Sequence, residues 1–108
     1  MEKAIKIIIT EDASDFSQES NAIMENYNIS PAFCSKDGEE LLSRIKAELP
    51  DVVLMDSFMT RLDAIGVMRS VRREKLKAPL FIVFSSFHNA AGYEFGRILL
   101  CFKAVRYF

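Results

Sequence analysis

The sequence predicts an α/β domain in which a parallel sheet carries helices on both faces, a doubly wound arrangement. Two observations indicate it. Predicted strands and helices alternate along the whole chain, and the strands are short, nearly continuous apolar runs, as expected of strands buried on both faces. Each return to a parallel strand requires a crossover, which the intervening helices supply. With 108 residues the chain has the length of a single domain.

Composition excludes several other classes of protein. Half of the residues are hydrophobic, 27% are charged and the net charge is −1, which argues against extended disorder and against a dedicated nucleic-acid binder. The two cysteines show no metal-binding or disulfide spacing and suit a reducing cytoplasm. No apolar run is long enough to span a bilayer, and the N-terminus does not read as a signal peptide. We therefore expect a cytoplasmic domain without membrane contact.

The first strand and helix are predicted at residues 5–10 and 14–27. The strand is a β-branched run from Ile5 to Thr10. The helix carries one apolar stripe, and Asp12 or Ser14 can cap its start. The residues of that stripe are Phe16, Ile23, Met24 and Tyr27.

The second strand is predicted at residues 29–34 and the second helix up to residue 48. Pro31 cannot donate a ladder hydrogen bond, so it favours an edge position for this strand. Asp37 and Gly38 open the helix, and Pro50 stops it. The apolar residues of the helix recur at helical spacing, which predicts one buried face.

The second half of the chain continues the alternation. Strands are predicted at 51–55 and 80–84, separated by a helix at 64–75 with apolar residues on one face and arginines on the other. Phe95, Ile98, Leu99 and Phe102 recur at helical spacing, so a fourth helix is predicted at 91–102. A fifth strand is predicted to begin at 104 and to run to 108.

Acidic and hydroxyl residues stand at the carboxyl ends of the predicted strands. In an open parallel sheet, ligands and reacting groups bind at these ends. Glu11 and Asp12 end the first strand, Asp56 ends the third, and Ser85 with Ser86 ends the fourth. Three carboxylates at one edge repel one another unless a cation joins them, and oxygen ligands suit Mg²⁺. A carboxylate left beside that cation is placed to accept a phosphoryl group.

On these residues the chain resembles the receiver domains of response regulators in two-component signalling, and within them most closely the receiver of the sporulation-initiation regulator. The matching segments are IKIIITED, PDVVLMDSFMTRLD and PLFIVFSSF, and with the spacing between them they cover the whole chain. The resemblance implies a five-stranded parallel sheet of order 2-1-3-4-5. It also implies a receiver domain over residues 1–108 that is truncated in or after the fifth strand, with the final helix missing.

The resemblance also implies roles for particular residues. Asp56 matches the phosphoacceptor, Ser85 the hydroxyl that grips the phosphoryl group, and Phe108 the aromatic switch residue. The residues matching the Mg²⁺ ligands are Glu11, Asp12, Asp56 and the backbone carbonyl of Phe58. A histidine kinase or histidine phosphotransferase would donate the phosphoryl group. The changed surface of the fourth helix and fifth strand would serve a homodimer or partner, and DNA would be reached only through a separate output domain.

The sequence departs from the family pattern in ways that keep a second function open. Thr60 stands where the family usually has Pro and Ala64 where it has Gly, which points to a different turn in this loop. The Lys that usually follows the aromatic of the fifth strand does not occur in this sequence. The alternative function is therefore a degenerate, phosphorylation-independent receiver that acts as a protein-interaction module. An enzyme on the same architecture is disfavoured, because no phosphate-binding glycine loop is present.

Overall fold

The computed structural model describes residues 4–10, 18–88 and 94–103, which form a sheet flanked by helices. The elements alternate as the sequence predicts up to the fourth strand. In chain order they are β1 (Ile5–Ile9), α1 (Gln18–Asn26), β2 (Ile29–Phe33), α2 (Gly38–Glu48), β3 (Val52–Asp56), α3 (Ala64–Arg73), β4 (Leu80–His88) and β5 (Glu94–Lys103).

Four strands are parallel and lie in the order β2-β1-β3-β4. The register aligns Ile8 of β1 with Val53 of β3, and Val53 with Phe81 of β4. Pro31 lies on β2, which forms one edge of the sheet, so the predicted edge position is confirmed. An α/β domain with a parallel sheet is thus confirmed over these four strands.

The fifth strand corrects the predicted fold. Residues 94–102, predicted as part of a fourth helix, instead belong to β5, which pairs antiparallel with β4 from Leu80–Lys103 to His88–Glu94. The periodicity was misleading because short apolar runs fit helix and strand equally well, and Gly96 weakens a helix there. The sheet is therefore not wholly parallel. The predicted strand at 104–108 lies outside the described residues.

Helices α2 and α3 pack on one face of the sheet, which we call the α2/α3 face. Val53, Met55 and Phe81 are fully buried there, together with Leu41 of α2 and Val67 of α3. Side chains alternate between the two faces of a strand, so every second residue of β3 and β4 enters this core. The apolar spacing of α2 and α3 gives each helix a buried stripe facing the same cluster.

The opposite face of the sheet is covered unevenly. Near the carboxyl ends of the strands, Ile9 is 0% and Phe84 2% exposed, whereas toward the amino ends Ile5 is 41% and Leu80 37% exposed. The burial that the sequence predicts for both faces is therefore complete only at the carboxyl end.

Helix α1 packs against the edge strand β2 and buries less of its predicted stripe than expected. Ile23 is 57% and Tyr27 71% exposed, while Met24 is half-buried. A helix placed over an edge strand meets sheet on only part of its surface, which accounts for the exposed residues. Phe16 lies outside the described residues.

Candidate functional site

Asp56 is the last residue of β3, at the carboxyl end of a strand flanked by β1 and β4. It is only 6% exposed although it is ionisable. Its backbone N–H donates to the buried hydroxyl of Thr10 at 2.9 Å, and the Thr10 N–H donates to the carbonyl of Leu54 at 3.0 Å. The end of β1 therefore fixes the backbone on which the Asp56 carboxylate stands.

The two carboxylate oxygens of Asp56 have different partners. Oδ1 accepts a hydrogen bond from the backbone N–H of Phe58 at 3.0 Å, a local turn closed by the side chain. Oδ2 lies 3.3 Å from Nζ of Lys36, which belongs to the loop between β2 and α2. The carboxylate is thus a buried anion paired with a cation whose own side chain is 51% exposed. A buried charge is retained when it is paired in this way.

The loop that carries Lys36 is hydrogen-bonded to the loop after β3. The carbonyl of Lys36 accepts hydrogen bonds from both the N–H and the hydroxyl of Thr60, at 3.0 and 3.1 Å. The N–H of Gly38 in turn donates to the carbonyl of Thr60 at 3.0 Å. A Cβ on Gly38 would lie 1.9 Å from the carbonyl oxygen of Leu62, so only glycine permits this approach. The two loops form one bonded unit beside Asp56.

An ion pair strengthens the contact between the loops. Arg61 adopts a left-handed conformation with φ of 64° and donates to Oδ2 of Asp37 at 2.7 Å. Its guanidinium also lies 3.1 Å from Glu39. The hydrogen bond from Arg61 lowers the pKa of the Asp37 carboxyl below its ordinary value. Asp37 additionally caps α2 by accepting from the N–H groups of Glu39 and Glu40.

The remaining predicted site residues are placed only in part. The backbone of Phe58 lies two residues past Asp56, and its aromatic side chain is 77% exposed. Ser85 follows Phe84, the register partner of Asp56, and lies within β4 rather than at its end, because the strand continues to His88. The side chain of Ser85 lies outside the described part of the chain, as do all of Glu11, Asp12 and Phe108. Among the described residues, no three acidic, histidine or cysteine side chains gather as a metal site.

Sequence reasoning missed Thr10 and Lys36, two residues whose side chains contact Asp56. Thr10 was assigned only to a buried strand, and Lys36 was assigned no role. A signal for Lys36 existed, because the loop after every parallel strand lies at the same edge of the sheet, including the loop after β2. The deviation at Thr60 was also visible, but its consequence depended on a contact between loops 24 residues apart.

No family model matches the chain. It is similar to the alkaline phosphatase synthesis transcriptional regulatory protein PhoP of Bacillus subtilis (strain 168), with 29% identity over 98 residues, 84% of this chain and 39% of that protein. It is also similar to the probable C4-dicarboxylate response regulator DctR of Bacillus subtilis (strain 168). That match has 36% identity over 47 residues, 44% of this chain and 21% of that protein. The chain thus spans about two fifths or less of these curated relatives.

A solved structure supports the fold. The signal receiver domain of NarL from Mycobacterium tuberculosis matches with a TM-score of 0.65 and 25% identity, covering 83% of this chain and 73% of that chain. No helix in the described part of the chain has the length and apolar character needed to cross a membrane. The relatives do not support the narrower resemblance to the sporulation-initiation regulator. The matches include a response regulator and a signal receiver domain, and together with the four-stranded parallel order they support a receiver role in two-component signalling.

Proposed function

We propose that this chain is a phosphoacceptor receiver that takes a phosphoryl group onto Asp56. The observation that carries the proposal is the placement of Asp56: a nearly buried carboxylate at the carboxyl end of a parallel strand, with a cation 3.3 Å away. Chemistry in open α/β sheets gathers at this end of the strands. The similarity to a response regulator and to a signal receiver domain supports a receiver role for the chain.

The transfer follows from carboxylate chemistry. A carboxylate oxygen of Asp56 attacks phosphorus in a phosphohistidine, a P–O bond forms and the P–N bond breaks. The electron pair of the broken bond returns to the imidazole nitrogen, which takes up a proton, and Asp56 becomes an acyl phosphate. The protein's contribution is to hold the carboxylate in line and to balance developing negative charge. Thr10 and Phe58 hold the Asp56 backbone and Oδ1 for this purpose.

The residues of the site suit a divalent cation of the Mg²⁺ type, since all of the proposed ligands are oxygens. They are Glu11, Asp12, the carboxylate of Asp56 and the carbonyl of Phe58. Thr10 supports this set of ligands. Its hydroxyl accepts a hydrogen bond from the Asp56 N–H, and Glu11 and Asp12 follow it directly in the sequence. When bound, the ion would neutralise charge on the phosphoryl oxygens and orient the donor.

The proposed response to phosphorylation is a local change with a wider effect. The new group brings about −1.5 to −2 charges and three acceptor oxygens. Ser85 would donate to one of these oxygens, and Phe108 would follow as the aromatic switch. The surface after β4 would then favour a homodimer or a partner. A histidine kinase or histidine phosphotransferase would be the donor to this chain in the cytoplasm, and control of transcription would act through an output domain.

Incubation with acetyl phosphate and Mg²⁺ tests the proposal. We expect the wild-type chain to gain the mass of one phosphoryl group, and the Asp56→Asn variant to gain none. Beryllofluoride with Mg²⁺ should bind the wild-type chain and not the variant. The matched control is Asp51→Asn, because Asp51 lies at the other end of β3, where it accepts from the N–H of Lys6. Incorporation that survives in Asp56→Asn would refute the proposal.

A second candidate is a phosphorylation-independent interaction module. The observation that favours it is that both oxygens of the Asp56 carboxylate already have partners within the protein, Phe58 and Lys36. A Mg²⁺ titration separates the two candidates. An interaction module would show weak or no Mg²⁺ binding, and its association with itself or a partner would not respond to beryllofluoride.

A further inference from the structure

Lys36 is the cation that pairs with Asp56 in the described part of the chain. The proposed function gives it no part in the transfer step itself. Its Nζ lies 3.3 Å from Oδ2, so it neutralises a carboxylate that is otherwise almost excluded from water. Other described cations near these loops are engaged elsewhere: Arg61 pairs with Asp37 and Glu39. A resting pair of this kind leaves one cation within reach of any group added to Asp56.

The position of Lys36 is set by its backbone. Thr60 donates twice to the Lys36 carbonyl, from its N–H and from its hydroxyl. The next residues of the loop are held as well, since Asp37 pairs with Arg61 and Gly38 bonds to Thr60. A backbone fixed at this many points leaves mainly the four-carbon side chain of Lys36 free to move. That side chain is half exposed, so its ammonium can shift without unfolding the loop.

We propose that Lys36 is a catalytic residue of the phosphoryl transfer, and that Thr60 is its positioning residue. The inference rests on the proposed function of Asp56. The Lys36 ammonium pairs with Oδ2 in the resting chain. It then moves to a phosphoryl oxygen as the P–O bond forms, because negative charge moves outward from the carboxylate to the phosphoryl group. A charge-assisted contact to phosphate is stronger than a neutral hydrogen bond and strengthens as that charge develops.

The ion pair between Lys36 and Asp56 also affects the binding of a divalent cation. Lys36 and a divalent cation are both attracted to the same carboxylate and repel each other. Removal of the Lys36 charge should therefore tighten the binding of Mg²⁺ to the unphosphorylated chain. Tighter binding would show that the Lys36 ammonium acts on the Asp56 carboxylate in solution, whereas the rate of incorporation tests its part in the transfer.

The test compares Lys36→Met with the wild-type chain and with the matched control Lys77→Met, an exposed lysine in the connection before β4 at the amino end of the strands. Acetyl phosphate with Mg²⁺ is the phosphodonor, and mass spectrometry follows incorporation over time. We expect Lys36→Met to slow incorporation by at least about tenfold, the loss typical of one charge-assisted contact. We expect Lys36→Arg to recover part of the rate, and Lys77→Met to match the wild type.

The same variants are titrated with Mg²⁺ alone. Lys36→Met should bind the ion more tightly than the wild type, and thermal unfolding should show that it remains folded. Incorporation by Lys36→Met at the wild-type rate would overturn this inference while leaving the role of Asp56 intact. Failure of the wild-type chain itself to incorporate phosphate would overturn the proposed function, and this inference with it.

The role of Thr60 is tested by a double-mutant cycle. Thr60→Pro removes both donors to the Lys36 carbonyl, whereas Thr60→Val keeps the N–H and Thr60→Ser keeps both. Thr60→Pro should slow incorporation in the wild-type background and have little further effect in Lys36→Met. Equal slowing in both backgrounds would show that Thr60 acts independently of Lys36 and would overturn the positioning role.

Discussion

The two faces of the sheet are built from the same strands but are packed to different degrees. On the α2/α3 face, Val53, Met55 and Phe81 are 0% exposed, so burial there already begins at the second residue of β3 and of β4. On the opposite face, burial is complete only near the carboxyl ends, and Leu80 at the amino end of β4 is 37% exposed. The contrast indicates where the fold is closely packed on both faces, which is the carboxyl end of the sheet at which Asp56 lies.

This distribution suits a site that must hold its groups in place. Catalytic geometry is kept by residues whose own positions are fixed by packing and by hydrogen bonds. Ile9 and Phe84, on the opposite face, are buried on the strands that flank Asp56. The amino end carries no described group of the proposed site, and its incomplete cover has no direct consequence for Asp56.

The strongest test of the contrast uses two neighbouring residues of β4. Phe81 points into the α2/α3 core and Ile82 points to the opposite face, where it is half-buried. Phe81→Ala should lower the free energy of unfolding by about 3–5 kcal/mol, because it leaves a cavity in a closed core. Ile82→Ala should cost about half of that or less. Urea unfolding of both variants measures the difference.

Equal losses in these two variants would break the comparison. They would show that in solution the opposite face is covered as completely as the α2/α3 face. A larger loss of unfolding free energy in Ile82→Ala than in Phe81→Ala would show that the opposite face is the more completely packed of the two. Phosphoryl incorporation by folded Ile82→Ala should match the wild type, because Ile82 has no role in the proposed mechanism.

A second test probes the α2/α3 face through Cys34, which is 5% exposed in its core. Burial raises the pKa of the Cys34 thiol from 9.0 to about 11, and Glu40 adds to the effect. The folded thiol stays neutral while the unfolded thiol ionises near pH 9. Stability should therefore be unaffected by this group below pH 9 and should fall as the pH rises toward 11.

The measurement compares alkaline unfolding of the wild type and Cys34→Ala, in which this pH dependence is absent. Alkylation gives an independent readout in Cys101→Ser, where Cys34 is the one remaining thiol. We expect Cys34 to resist iodoacetamide at neutral pH and to react once urea is added. Rapid reaction of the folded chain would show that the α2/α3 core opens readily, against the packing described above.

The same contrast explains which parts of the fold the sequence could predict. Strands β1 and β3 and helices α2 and α3 were predicted within one or two residues, because each has both an apolar pattern and a clear boundary such as Asp37 or Pro50. The segment at 94–103 has an apolar pattern without such a boundary, and pairing with β4 decided its structure. The exposure of Ile23 and Tyr27 depends on what α1 lies against, which a single helix pattern does not contain.

The candidate site likewise contains one residue that the sequence pattern predicts and one that depends on tertiary contacts. Asp56 was predicted because it follows a buried strand and belongs to a recognisable set of acids. The role of Lys36 was not predicted, because its ion pair with Asp56 depends on how two loops lie together. Those loops are joined by the hydrogen bonds that Thr60 donates to the Lys36 carbonyl. Contacts of that kind depend on tertiary structure. The roles of Glu11, Asp12, Ser85 and Phe108 stay predictions.

The smallest expected effect belongs to Leu80, at the amino end of the opposite face. Leu80 is 37% exposed and pairs in register with Val52, which is only half-buried. Leu80→Thr keeps strand propensity and removes little buried apolar surface, so we expect a loss of about 1 kcal/mol or less in urea unfolding. A loss approaching that of Phe81→Ala would mean that Leu80 is covered in solution. The amino end would then need a further packed layer, and the gradient of burial along the opposite face would no longer mark the site.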